Sequence, residues 1–226
     1  MAADQEKREE YKRGINMGRY TGPACRLCRR EGMRLFLKGD KCYSQACTLN
    51  KRTNAPGKVS KFNKKPTEYA VQLREKQKVK RYYGVYERQF RRYFELATKH
   101  KGVTGEMLLQ YLERRLDCLI HKAGFAPSKK AARQLVIHGH VSVEGKKIDI
   151  PSYVVNVGQE IVLSEKVKNL DMVVKSIESA QNKVIPTWLE IDFTNLKMKM
   201  LNIPTRAEIN PEIEINEQLI VELYSK

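Results

Sequence analysis

Apolar residues recur along this chain with two different periods, and the change of period marks out its parts. Pro66 and Thr67 introduce a helical stretch running to Gly84, with Arg74, Lys78 and Arg81 on one face. Residues 86–100 turn Phe90, Tyr93, Phe94 and Ala97 one way and Arg88, Arg91, Arg92 and Lys99 largely the other. Thr104 is placed to cap a third helix whose stripe of Leu108, Leu109, Leu112, Leu116, Leu119 and Ile120 stops at Gly124. Ser128 caps a short helix ending at Gly139. Beyond it, VSVEGKKIDI and SYVVNVGQEIVL carry β-branched residues in alternation about a Glu144-Gly145 turn, which predicts strands. Residues 171–182 return to helical spacing, and the remainder is mixed and punctuated by prolines.

This order, helices followed by a few antiparallel strands, predicts an α+β fold. No stretch approaches the roughly 18 consecutive apolar residues of a membrane span, and the first residues lack the apolar run of a secretory signal. A cytoplasmic protein with no membrane attachment is therefore expected. In that reducing setting the five cysteines are metal ligands, reactive thiols or core residues rather than disulfides.

Charge then points to a partner. The 226 residues carry a net charge of +17, and the surplus sits in one half: residues 1–100 hold 26 basic and 10 acidic side chains, residues 101–226 hold 17 and 16. The first half is thus a polyanion surface, nucleic acid before membrane. From Pro151 onward the balance turns negative, which suits protein contact better than RNA.

Four cysteines, Cys25, Cys28, Cys42 and Cys47, follow the pattern C-x2-C-x13-C-x4-C. A tight turn can present the first two thiolates and a returning loop the second pair, so structural zinc is expected, with unmetallated thiols and an iron-sulfur cluster as alternatives. Arg26, Arg29, Arg30, Arg34, Lys38 and Lys41 surround the cluster and would lower its thiol pKa values. Cys118, among Leu116, Leu119 and Ile120, is expected to be packed.

After Ser128, the residues Lys129, Lys130, Arg133 and Gln134 line one helix face and Ala132, Leu135 and Val136 the opposite one. The helix N-terminus adds unsatisfied backbone N–H groups and a positive dipole end, both favourable to phosphate. His138 and His140 extend the polar edge as RNA contacts or surface residues. A solvated helix face explains the same pattern equally well.

Residues 114–163 resemble the small RNA-binding module named after small-subunit ribosomal protein S-four. MGRYTGPACRLCRREGMRLFLKGDKCYS, YAVQLREKQKVKRYYGVYERQFRRYF and the ending NEQLIVELYSK are similar to the bacterial S-four ribosomal family in its four-cysteine, zinc-containing form, over residues 17–226. The resemblance implies a structural constituent of the small ribosomal subunit and no enzyme. It implies a primary 16S rRNA binder at the five-way junction of the 5′ domain, which nucleates assembly and contacts ribosomal protein S-five and other small-subunit proteins to tune decoding. It also implies basic residues lining the channel where mRNA enters, and no homo-oligomer.

Carried over by position, Cys25, Cys28, Cys42 and Cys47 match zinc ligands. Arg115, Ser128, Lys129, Lys130, Arg133, Gln134, His138 and His140 match the module's RNA face, and Lys61, Lys64 and Lys65 match the mRNA channel. Arg19, Arg26, Arg29, Arg30, Arg74, Lys78, Arg81, Arg88 and Arg91 complete the candidate RNA surface. The implied organisation is a charged extension (1–16), a zinc region (17–60), a helical domain (61–112), an inserted module (113–176) and a return to the helical domain (177–226). Three departures stand out: Pro56-Gly57-Lys58-Val59-Ser60 replaces the usual P-G-Q-H-G turn, Glu144 stands where Asn is usual, and Cys118 replaces an Asn.

Two rivals are weaker. An RNA-modifying enzyme or synthetase carrying such a module needs a catalytic domain, but no P-loop, dinucleotide turn or nucleophile with base is evident. A zinc-dependent DNA regulator would need a His-bearing finger or helix-turn-helix pair.

Overall fold

The computed structural model describes residues 20–58, 65–181, 186–209 and 212–225. The extension 1–16, Arg19, Lys61 and Lys64 lie outside them. The cysteine region forms α1 (Ala24–Glu31), a 3-10 turn at Gly39–Cys42 and α2 (Thr48–Lys51). Then comes α3 (Glu68–Tyr82), which starts where the sequence places it, the Thr67 hydroxyl accepting the Ala70 N–H at 3.3 Å. The next helix, α4 (Glu87–Lys99), buries Phe90, Tyr93, Phe94 and Ala97, the face its apolar spacing selects.

The predicted third helix is two helices, α5 (Thr104–Glu113) and α6 (Leu116–Lys122). Its leucine stripe is continuous, but Arg115 is extended (φ −66, ψ 139). Here the chain exchanges helical bonds for distant ones: Val155 N–H donates to Arg114 O at 2.9 Å and Leu116 N–H to Tyr153 O at 2.9 Å. Backbone groups leaving a helix must find partners elsewhere, and these were not legible in the local pattern. Thr104 does not cap α5; the cap position is Val103, with no side-chain bond.

The break divides the stripe between two cores. Leu108, Leu109 and Leu112 pack with Val79, Tyr82, Phe90 and Phe94, whereas Leu116, Leu119 and Ile120 pack with Phe125, Leu135, Val136 and Ile161. Cys118 is fully buried but faces back into the helical core, and burial raises its pKa far above the ordinary thiol value.

The module continues with α7 (Lys129–Ile137), β1 (Val141–Val143), β2 (Lys146–Lys147), β3 (Glu160–Leu163), a 3-10 turn at Glu165–Val167 and α8 (Asp171–Gln181). At the tip of the β1–β2 hairpin Glu144 has φ +48, a left-handed conformation that suits Asn or Gly better. Its carboxylate compensates by accepting the Glu160 N–H at 2.6 Å. Residues 152–157 form no strand beyond a single bridge, Arg115 to Val154.

The sheet and core of the module continue past residue 176. Two strands not foreseen, β4 (Leu189–Asp192) and β5 (Lys197–Met200), extend the module sheet to the order β2-β1-β3-β5-β4, with all pairs antiparallel and Ile161 opposite Met198. Trp188, Leu196, Met198 and Met200 join the module core. Only from Ile209 does the chain return to the helical core, where α9 (Glu217–Ser225) packs along α3 and α5 and buries Ile220.

Candidate nucleic-acid interface

α7 is built from Ser128 upward. The Ser128 hydroxyl accepts the Ala131 N–H at 3.3 Å, so this side chain serves the cap. The helix does not present one uniform cationic face. Gln134 and His138 are exposed and Lys130 and His140 half-buried, but Arg133 is only 9% exposed, with Nη1 3.6 Å from Asp117 Oδ2. Lys129 turns its ammonium onto the Tyr82 ring, 3.2 Å from the centroid, and burial lowers its pKa. Tyr82 belongs to α3, so this contact ties the module to the helical domain.

Arg115, expected on the RNA face, lies inside the protein instead. It is fully buried and bound to Asp117, while its Nη1 donates to the Tyr93 hydroxyl at 3.0 Å. Burial alone would lower its pKa, but Asp117 outweighs that and raises it. A guanidinium so enclosed joins structural elements, with its hydrogen bonds spent on Asp117 and Tyr93.

The cations of α3 share an acid that the spacing did not reveal. Glu31, at the end of α1, has a side chain only 2% exposed and receives both Arg74, at 3.4 Å, and Arg81. Burial raises the Glu31 pKa against the pull of Arg81 and Arg74. Lys78 pairs with Glu75 at 2.7 Å. This face therefore docks the cysteine region onto α3 as well as offering positive charge. One signal was available: Glu31 and Asp40 are the only acids between residues 20 and 67.

On the outer face of α4, Arg88, Arg91 and Arg92 are exposed, Arg91 standing 3.4 Å from Glu95. Arg26 and Arg30 are exposed, Arg29 donates to Asn54 O at 2.8 Å, and Lys65 is exposed. These are the side chains freest to meet phosphate oxygens.

Cys28, Cys42 and Cys47 are buried and Cys25 is half-buried. Burial pushes the Cys28 thiol up; the Leu35 backbone hydrogen bond opposes this, and the neighbouring Cys42, Cys25 and Cys47 add to the rise. Cys42 rises for the same first reason, against the Lys38 N–H that donates to its sulfur at 3.4 Å. The expectation that nearby cations lower these two values is thus reversed, because desolvation by burial is the largest influence on both. The four thiols are near enough to influence one another and are chemically suited to a tetrahedral thiophilic ion. Among the described residues, however, no group of three or more His, Cys, Asp or Glu side chains stands in a geometry that would hold a metal ion. His138 and His140 have ring centroids 6.2 Å apart.

A family model described as the ribosomal protein S4/S9 N-terminal domain matches residues 19–113, and one described as the S4 domain matches residues 114–161. Their junction falls at the break between α5 and α6, and together they define a ribosomal protein of the S4 type. The chain is 52% identical over 210 residues to small ribosomal subunit protein uS4A of Symbiobacterium thermophilum and 53% identical over 210 residues to uS4 of a Thermoanaerobacter species. It is 48% identical over 211 residues to uS4 of Thermus thermophilus. In each case 93% of this chain and all of the relative are covered. The chain belongs to the uS4 family of small-ribosomal-subunit proteins.

Proposed function

We propose that the chain acts in the cytoplasm by binding, without turnover, as a structural constituent of the small ribosomal subunit that grips 16S rRNA early and nucleates assembly. The observation that carries this reading is the coupling of two cationic units: the Lys129–Tyr82 contact joins α7 to α3, and the buried Arg115–Asp117 pair, which bonds Tyr93 of α4 on one side and approaches Arg133 of α7 on the other, joins α7 to α4. A rigid pair of cationic surfaces suits a folded RNA junction, whose backbone oxygens are read by shape rather than sequence. No described helix is long and apolar enough to cross a membrane.

The finer reading adds three parts. Cys25, Cys28, Cys42 and Cys47 would hold a structural zinc, which would neutralise their thiolates and brace the loop between α1 and α2; the donor chemistry supports this. Ribosomal protein S-five would meet the acidic later part of the chain. Lys65, with Lys61 and Lys64 outside the described residues, would face incoming mRNA.

The test is equilibrium binding of the full chain to a 16S 5′-domain transcript, with duplex DNA as competitor. Strong preference for the transcript is expected. Equal affinity for the DNA would overturn the reading.

A further inference from the structure

A cavity of 250 Å³ opens where the start of the cysteine region, the α3–α4 turn and the first turn of α7 meet. Its lining combines cations and aromatic rings: Lys80, Lys129, Lys130 and Arg133 with Tyr20 and Tyr86, beside the buried Tyr82 and Tyr83. Asp117 is the one carboxylate in the lining, and it is held by Arg115 and approached by Arg133.

Two features of this lining are left able to take a ligand. Lys129 forms no ion pair among the described residues; its ammonium rests on the rings of Tyr82 and Tyr83, 3.2 and 5.5 Å from their centroids. An enclosed ammonium that rests on ring faces, with Glu113 and Glu212 acting on it only from beyond ion-pair distance, favours an incoming anion. Tyr86 is 46% exposed, caps α4 without a side-chain bond, and makes no side-chain hydrogen bond or ring contact among the described residues. It is an open stacking face beside a pool of positive charge. Tyr20 offers a second ring, with Lys130 Nζ 5.5 Å from its centroid.

We propose that this cavity receives a single nucleotide turned out of the rRNA, with its phosphate facing Lys129, Lys130 and Arg133 and its base lying against Tyr86 and Tyr20. The inference rests on rRNA being the ligand, and adds to backbone reading one unstacked base. The size argues for this. The volume lies just below the range of about 300–1,000 Å³ that holds drug-sized ligands, which suits one nucleotide and excludes a duplex. The wall chemistry argues for it too, since RNA-binding surfaces hold splayed bases on aromatic faces while cations take the adjoining phosphate. An acidic peptide would satisfy the cations but leave the tyrosine faces without a role.

The experiment uses the full chain with a 16S 5′-domain transcript carrying sparse 4-thiouridine. Irradiation should crosslink RNA to Tyr20 or to the 82–86 segment. Tyr86→Leu should weaken binding by about 5- to 100-fold with an unchanged salt slope, the scale of one lost base stack. Tyr86→Phe, which keeps the ring, should recover that loss. The proposal is overturned if Tyr86→Leu binds within about twofold of the unaltered chain, or if crosslinks fall only outside the cavity. It is likewise overturned if a polyglutamate peptide protects the crosslinked tyrosines as well as unlabelled transcript does. Loss of all binding to the transcript by the unaltered chain would instead bring down the rRNA reading itself.

Discussion

The guanidinium of Arg115 grips Asp117 through two parallel hydrogen bonds, Nε to Oδ1 at 3.0 Å and Nη2 to Oδ2 at 2.6 Å, inside the joint between the helical and module cores. Removing one partner of such a pair leaves a buried charge without compensation. Arg115→Ala is expected to destabilise the protein by about 3–5 kcal/mol in urea unfolding. Arg115→Lys should recover only part, because an ammonium cannot reproduce the two-pronged geometry. Protein that remains folded should keep its full salt dependence of rRNA binding. A shallower slope would mean that Arg115 reaches phosphate after all.

Glu87 gives the acid limb of stability. Its carboxylate receives Lys76 at 2.7 Å, Lys80 at 2.8 Å and the Tyr224 hydroxyl at 2.8 Å. Burial alone would raise its pKa, but the hydrogen bonds from Lys76, Lys80 and Tyr224 dominate and hold it at about 2, against an ordinary 4.5. The folded form therefore holds its proton less tightly than the unfolded form. The stabilisation is complete above about pH 4.5 and is lost as pH falls toward 2. Thermal unfolding across that interval should show a smaller loss for Glu87→Gln than for the unaltered chain.

Binding to the 5′-domain transcript should weaken with salt at a log-log slope steeper than about −4. Arg88→Gln, on the exposed face of α4, should flatten that slope by about 0.7–0.9. Arg81→Gln should act differently, because Arg81 braces Glu31: hydrogen exchange of α1 should rise more than the slope changes. Identical behaviour of the two variants would contradict the division between exposed and bracing cations.

On the proposed zinc reading, chelation, or Cys25→Ser with Cys28→Ser, should release stoichiometric zinc and speed hydrogen exchange within residues 20–58, while β1, β3 and β5 stay protected. Metal binding and local folding are linked, and the cysteine region shares neither of the two apolar clusters through its thiols. Retention of the metal by the double variant would remove these ligands from consideration.

Local periodicity carried α4, α7 and α8 well, because each buries a face whose spacing is visible within one helix. The Cys118 burial was legible for the same reason. Four features were not. The split at Arg115 depends on carbonyls of Pro151 and Tyr153, nearly forty residues later. β4 and β5 are short and charged, with only Leu189, Ile191, Met198 and Met200 marking their inner face, so their signal emerges only against β3. Arg133 and Lys129 look like members of one solvated stripe until Asp117 and Tyr82 are brought beside them. Charge counting found the cationic half but could not tell which cations were spoken for by Glu31, Glu75 and Glu87.

The helical core is assembled from pieces far apart in the chain: it leaves off near Cys118 and is completed by Ile209, Ile213, Ile215 and Ile220. The module, by contrast, is closed within one uninterrupted run. During synthesis the module can settle as soon as β5 has emerged, whereas α3, α4 and α5 must wait for α9 before their shared interior is shut. The two cationic units thus acquire their fixed relation late, and an unfinished chain would offer RNA a finished module beside an open helical half.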